Sequence, residues 1–104
     1  MVGYRLTAGA EAQLSEILDW SEQRFGPGAR ERYGALILAT LRNIAEDPHQ
    51  SNVHWRRVRN TQVGIYHIAH SRDRVPPEFG RVGEPRHYLV FRIAEDDITE
   101  MLGF

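Results

Sequence analysis

Four residues carry the side chains best suited to chemistry: Arg86, His87, Tyr88 and Arg92, all within Arg86-His87-Tyr88-Leu89-Val90-Phe91-Arg92-Ile93. An imidazole and a phenol for proton transfer, with guanidiniums to stabilise a pentavalent phosphate, are parts that RNA cleavage by 2′-oxygen attack needs. The plainer reading makes His87 and Tyr88 ordinary strand residues beside a surface arginine pair, and the sequence favours it. A nuclease acting on large RNA should be strongly basic, because backbone charge dominates RNA affinity; here the net charge is −1. Metal chemistry has no better footing. His67 and His70 are three apart, so on a strand they would face opposite sides. His49 and His54 fall in a stretch without periodicity and have no third ligand at a recognisable spacing. With no Cys there is neither a thiolate site nor a disulfide. Gly80-Arg81-Val82-Gly83 neither follows a clear strand nor opens a helix, so it is no phosphate loop. No Ser-His-Asp spacing stands out. The expectation is no catalytic residue, no metal and no cofactor.

That leaves binding surfaces. Residues 1–53 hold five Arg against seven acids, residues 54–92 eight Arg against three acids, and residues 93–104 four acids and no base. The middle segment, at +5, predicts a surface that meets an acidic partner or a nucleic-acid backbone, with arginines scattered over a solvated surface as the plainer reading. All thirteen basic residues are Arg, a residue suited to bidentate pairing with carboxylate or phosphate; codon bias would give the same pattern.

The elements that must position these residues read as one domain spanning 1–104. The length suffices for one modest core, and no apolar run approaches the roughly 20 residues of a membrane helix. Met1-Val2-Gly3-Tyr4-Arg5 has no signal-peptide hydrophobic region, so the expected location is cytoplasmic. Val2 to Leu6 alternates as a first strand. Thr7 suits an N-cap, and Leu14, Ile17, Leu18, Ser21 and Phe25 follow the rhythm of one helical face, with Trp20 flanking it. Gly26-Pro27-Gly28 ends that helix and starts another. Tyr33, Leu36, Ile37, Thr40, Leu41 and Ile44 form the second apolar stripe, which Asp47-Pro48 closes. Two helices joined so tightly form an antiparallel hairpin.

Between His49 and Asn60 periodicity lapses and an irregular lead-in is expected. Gly64 to His70 reads as a strand, and Ser71 to Pro85 as a long irregular connection of the kind that is often functional. The central strand follows, with His87, Leu89, Phe91 and Ile93 on one face and Tyr88, Val90 and Arg92 on the other. After the acidic turn Glu95-Asp96-Asp97, a last strand runs Ile98 to Phe104, with Ile98, Leu102 and Phe104 on one face and Met101 on the other. The order is β-α-α-β-β-β: an α+β domain with a helical hairpin packed on a mainly antiparallel twisted sheet.

Several stretches carry a resemblance. Tyr4-Arg5-Leu6-Thr7 leads into a helix ending Trp20-Ser21-Glu22-Gln23-Arg24-Phe25-Gly26. A second helix runs from Arg32-Tyr33 to Ile44-Ala45-Glu46-Asp47-Pro48, and His87-Tyr88-Leu89-Val90-Phe91-Arg92-Ile93 precedes a polar turn and a closing strand. Over nearly its whole length the chain resembles the ParE toxins of the RelE/ParE toxin–antitoxin superfamily. It departs in the proline-rich Ser71–Pro85 link, often shorter in the family, and after the last strand, where many members continue with an Arg- or His-containing tail.

The resemblance implies a toxin that inhibits DNA gyrase by binding. It also implies a ParD-like antitoxin that wraps a C-terminal segment over the toxin and binds operator DNA itself, so the toxin meets DNA only indirectly. The RelE-like alternative, ribosome-dependent mRNA cleavage, draws mostly on Lys, Arg and a C-terminal Tyr or His. This sequence has no Lys, and neither Tyr nor His after Tyr88. A second alternative is a non-toxic assembly partner of a DNA-binding antitoxin. On the leading reading, Arg56, Arg57, Arg59, Arg86 and Arg92 form a basic face for acidic antitoxin residues. Apolar anchors then lie along the helical hairpin, with Trp20 and Tyr33 as aromatic candidates, or at an exposed sheet edge.

Overall fold

A computed structural model describes residues 3–104. Five strands form one sheet in the order β1-β5-β4-β3-β2, and a helical hairpin covers one of its faces. The strands are β1 (Tyr4–Leu6), β2 (His54–Val58), β3 (Thr61–His67), β4 (Tyr88–Ile93) and β5 (Thr99–Gly103); the helices are α1 (Ala8–Phe25) and α2 (Pro27–Glu46). β1 runs parallel to β5, and every other pairing is antiparallel. The α+β class, the hairpin and the central place of β4 are all as expected. Val2, at the start of the expected first strand, lies outside the described residues.

The hairpin forms for the reasons visible in the sequence. The Thr7 hydroxyl accepts a hydrogen bond from the Ala10 N–H at 3.1 Å, capping α1. Gly26 alone separates the helices, at φ 94°, a left-handed value open to Gly at little cost. Pro27 then starts α2, where its missing N–H costs nothing. All six residues of the second stripe are buried. In α1 the outcome is mixed. Ile17 and Ser21 are buried, and Leu14 and Leu18 pack partly against the core, but Phe25 is 61% exposed. It is the last helical residue, beyond the reach of the sheet.

Leu89 and Phe91 of β4 face the helices with Tyr66 and Met101, all fully buried. Gly64 pairs with Phe91 across β3 and β4, and a Cβ there would overlap the Phe91 ring. Glycine is therefore required by contact at this position. Behind this layer, Asn43 Nδ2 donates to Tyr66 Oη (3.0 Å) and to Ser71 Oγ (3.1 Å), and the two hydroxyls lie 2.8 Å apart. These three buried polar side chains satisfy one another and tie α2, β3 and the link to one point.

Three expectations need correction. The irregular lead-in contains β2, so the order is β-α-α-β-β-β-β. β2 hid because four of its five side chains are exposed, with only Trp55 turned inward, against Phe91 at 5.4 Å. It is joined to β3 by Arg59-Asn60, both at positive φ (49° and 67°), the geometry of a two-residue hairpin turn. Second, β3 starts at Thr61 and ends at His67; Ile68 to Arg74 coils into a 3₁₀ helix. His67 and His70 therefore do not face opposite sides, and their rings lie 6.3 Å apart. Third, the long link is not wholly irregular. It carries that 3₁₀ helix and a second one at Pro77–Phe79, and Ser71 and Pro85 are buried.

Candidate functional site: an arginine-lined cleft at the hairpin tip

Where α1 ends and α2 begins, the last part of the link folds back to enclose a cleft of about 320 Å³. Trp20 and Phe25 come from α1, Arg32 and Tyr33 from α2, and Arg81 and Arg86 from the link. The aromatic rings brace one another: Trp20 meets Phe25 at 5.9 Å and Tyr33 at 6.4 Å, both edge to face. Trp20 and Arg86 also border an adjoining cavity of about 300 Å³, which His87 lines.

Tyr33 fixes the mouth of the link. Its phenol oxygen accepts from the Arg86 backbone N–H at 3.1 Å and lies 2.6 Å from His87 Nδ1. The arrangement using every proton has Tyr33 donating to Nδ1, which assigns His87 as the neutral tautomer carrying its proton on Nε2. The surroundings agree. Burial, followed by the charges of Arg86 and His67, lowers the His87 pKa, while burial raises that of Tyr33. Neutral His87 is thus a hydrogen-bonded support of the cleft.

The sequence-predicted residues separate into groups. Trp20, Tyr33 and Arg86 come together at the cleft. Arg92 stands on the other side of the sheet, the face that the helices leave open. There Arg5, Glu100 and Arg92 form one cross-strand row. Glu100 joins Arg92 (2.8 Å) and Arg5 (3.1 Å), and Arg5 also reaches Asp96 at 2.9 Å. Arg56 pairs with Val63 on this same open face, while Arg57 points to the opposite face and Arg59 occupies the turn. The five arginines do not make one continuous basic face.

Nor do the residues of the hypothetical nuclease converge. Tyr88 pairs with His67 on the open face, and their rings pack edge to face at 4.6 Å. Arg92 is engaged with Glu100, and His87 with Tyr33, across the sheet from both. Among the described residues there is no group of three or more His, Cys, Asp or Glu placed to hold a metal.

Sequence reasoning missed Arg32, and set Arg81 aside with the rejected Gly80–Gly83 phosphate loop. Arg32 lies on the flank of the α2 stripe, and Arg81 sits in the link; only folding brings them beside Trp20. The length of Ser71–Pro85 was the one available signal. A family model described as ParE toxin of type II toxin-antitoxin system, parDE, matches residues 4–103. No curated protein and no solved structure matches the chain.

Proposed function

The chain belongs to the ParE toxin family of type II toxin–antitoxin systems, and from that premise we propose that it inhibits DNA gyrase by binding and is neutralised by a ParD-like antitoxin. The observation that carries this reading is the family match across residues 4–103. The dispersal of His87, Tyr88 and Arg92 over two sides of the sheet supports action by binding over RNA cleavage. The toxin acts in the cytoplasm, where gyrase is. No helix among the described residues is long and apolar enough to cross a membrane.

The antitoxin segment meets the toxin at two places. At β2, an edge strand with free backbone groups, it adds as a strand and sets acidic side chains against Arg56, Arg57 and Arg59. Arg92, two strands away and held by Glu100, is left out of this contact. At the hairpin, Trp20, Tyr33 and Arg86 supply an aromatic anchor beside a cation. Reversing Arg56 and Arg57 to Glu should weaken the pair at least about tenfold and speed its dissociation. Unchanged affinity would remove β2 from the interface.

The functional test is gyrase supercoiling and DNA cleavage with the purified chain, with and without its antitoxin. Inhibition relieved by the antitoxin is expected. No inhibition at high toxin concentration would leave the family assignment standing and turn the function to an inert assembly partner of the antitoxin.

A further inference from the structure

The cleft carries more positive charge than the fold itself uses. Neither Arg32 nor Arg86 makes an ion pair among the described residues, and Arg81 meets only Asp73, at 3.3 Å, in a pair open to water. Glu84 is the one acid among the lining residues. Three guanidiniums against one lining carboxylate leave +2, or +1 once Asp73 beside Arg81 is counted, around a space large enough for a small ligand. Local electrostatics make this worse. α2 begins with no side-chain cap and no acid in its first turn. The Arg32 guanidinium curls back over Gly28, within 3.1 Å of where a Cβ would stand. A cation at the positive end of a helix is unfavourable. Behind Arg32 and Arg81, a second cavity of about 10 Å³ is lined by Arg72, whose Nε is buried with no acceptor. Buried donors without partners are rare enough to call for one.

An anion in the cleft answers the first three features. Because the α2 N-terminus adds about half a positive charge, a phosphate monoester answers more of the excess than a single carboxylate does. The opposite wall is aromatic, with Trp20 and Phe25 both partly open to solvent, so the anion should carry a flat ring. We propose that this cleft binds a nucleoside monophosphate, the phosphate held by Arg32 and Arg81 and the base packed against Trp20 and Phe25. Arg–phosphate pairing is bidentate and charge-assisted, and guanidiniums hold phosphate without a glycine-rich loop. A carboxylate side chain of a peptide is the competing occupant. It carries a single charge and offers one planar acceptor pair, so it answers less of the positive potential than a phosphate does. This inference rests on the free chain alone and does not depend on gyrase or the antitoxin.

The test is calorimetry with NMR of the isolated chain at low salt, titrated with adenosine and uridine 5′-monophosphates, the matching nucleosides, inorganic phosphate, and a Glu-Phe-Glu peptide. The monophosphates should bind with a Kd below about 1 mM and shift the Trp20 indole signal. Arg32→Gln with Arg81→Gln should weaken binding about tenfold or more. Trp20→Leu should weaken nucleotide binding and leave phosphate binding unchanged. Retained dispersion of the Tyr66 and Phe91 signals shows that each variant is folded. Equal affinity for phosphate and nucleotide, preference for the peptide, or no binding of monophosphate would each overturn the proposal.

Discussion

Two arginine groups on opposite sides of one sheet show how little a residue's formal charge says without its neighbours. On the open face, Arg5 and Arg92 share Glu100, and Arg5 also holds Asp96. Two cations and two anions close on themselves, and the row is neutral. At the hairpin tip, Arg32 and Arg86 have no such partners among the described residues, and their cleft stays positive. The +5 counted along residues 54–92 includes Arg92, which the fold neutralises, and omits Arg32, which it leaves unanswered. Potential is a property of the assembled surface.

The sharpest way to break the comparison is to remove the support of one side. Tyr33→Phe deletes the acceptor of the Arg86 N–H and the donor to His87 in a half-buried setting. A loss of about 1–3 kcal/mol is expected in denaturant unfolding. The link should also loosen, read as faster amide exchange at Arg86 and His87.

Neutralising arginines should then have opposite signs in the two regions. Arg32→Gln removes an unpaired cation from a helix N-terminus and should raise stability by about 0.3–1 kcal/mol. Arg92→Gln removes a partner of Glu100 and should lower Tm slightly, since exposed pairs contribute little. Equal signs would mean that Arg32 has a partner the structure does not reveal.

Acid separates the regions again. The folded pKa of His87 is lowered by burial, so the unfolded chain binds the proton first. The stability tied to His87 is intact above about pH 6.5, the ordinary value for His, and is lost as pH falls from there through the lower folded value. Glu100 and Asp96 are also lowered, Glu100 chiefly by Arg92 and then Arg5, Asp96 chiefly by Arg5. Their contribution stands above the ordinary carboxylate range near pH 4 and is lost only below it, as pH passes through the depressed folded values. Unfolding followed from pH 8 to 3 should thus show two steps. His67, on the open face, is lowered in the same direction by burial and shares the upper step. Tyr33→Phe should therefore alter the His87 part of it, and Arg92→Gln the lower step.

The smallest effect lies at the β2–β3 turn. Arg59 holds φ 49°, and Arg59→Asn should stabilise the hairpin by a few tenths of a kcal/mol, because Asn tolerates this region better.

What the sequence showed follows the same division. α2 was fully legible because its inward residues repeat at helical spacing, and β4 because both of its faces carry apolar residues. β2 was not, since one inward Trp55 among exposed charges leaves no alternation to detect. The cleft was half legible. Trp20, Tyr33 and Arg86 were singled out separately, for composition and resemblance. Their meeting with Arg32 and Arg81 depends on a link whose path is set by Tyr33 and by the buried Ser71 contact, and no local pattern encodes it.

The parallel pairing of β1 with β5 has a consequence for how the chain folds. Tyr4, Arg5 and Leu6 have their partners at Thr99, Glu100 and Met101, and the Thr7 N–H donates to the Met101 carbonyl at 3.0 Å. The first strand and its partner therefore lie 95 residues apart along the chain. Until β5 docks, β1 has no neighbour and β4 lacks one of its two. Contacts this distant in sequence also close slowly. The sheet is complete only once these two distant segments meet, so a partly folded chain has no finished surface to present.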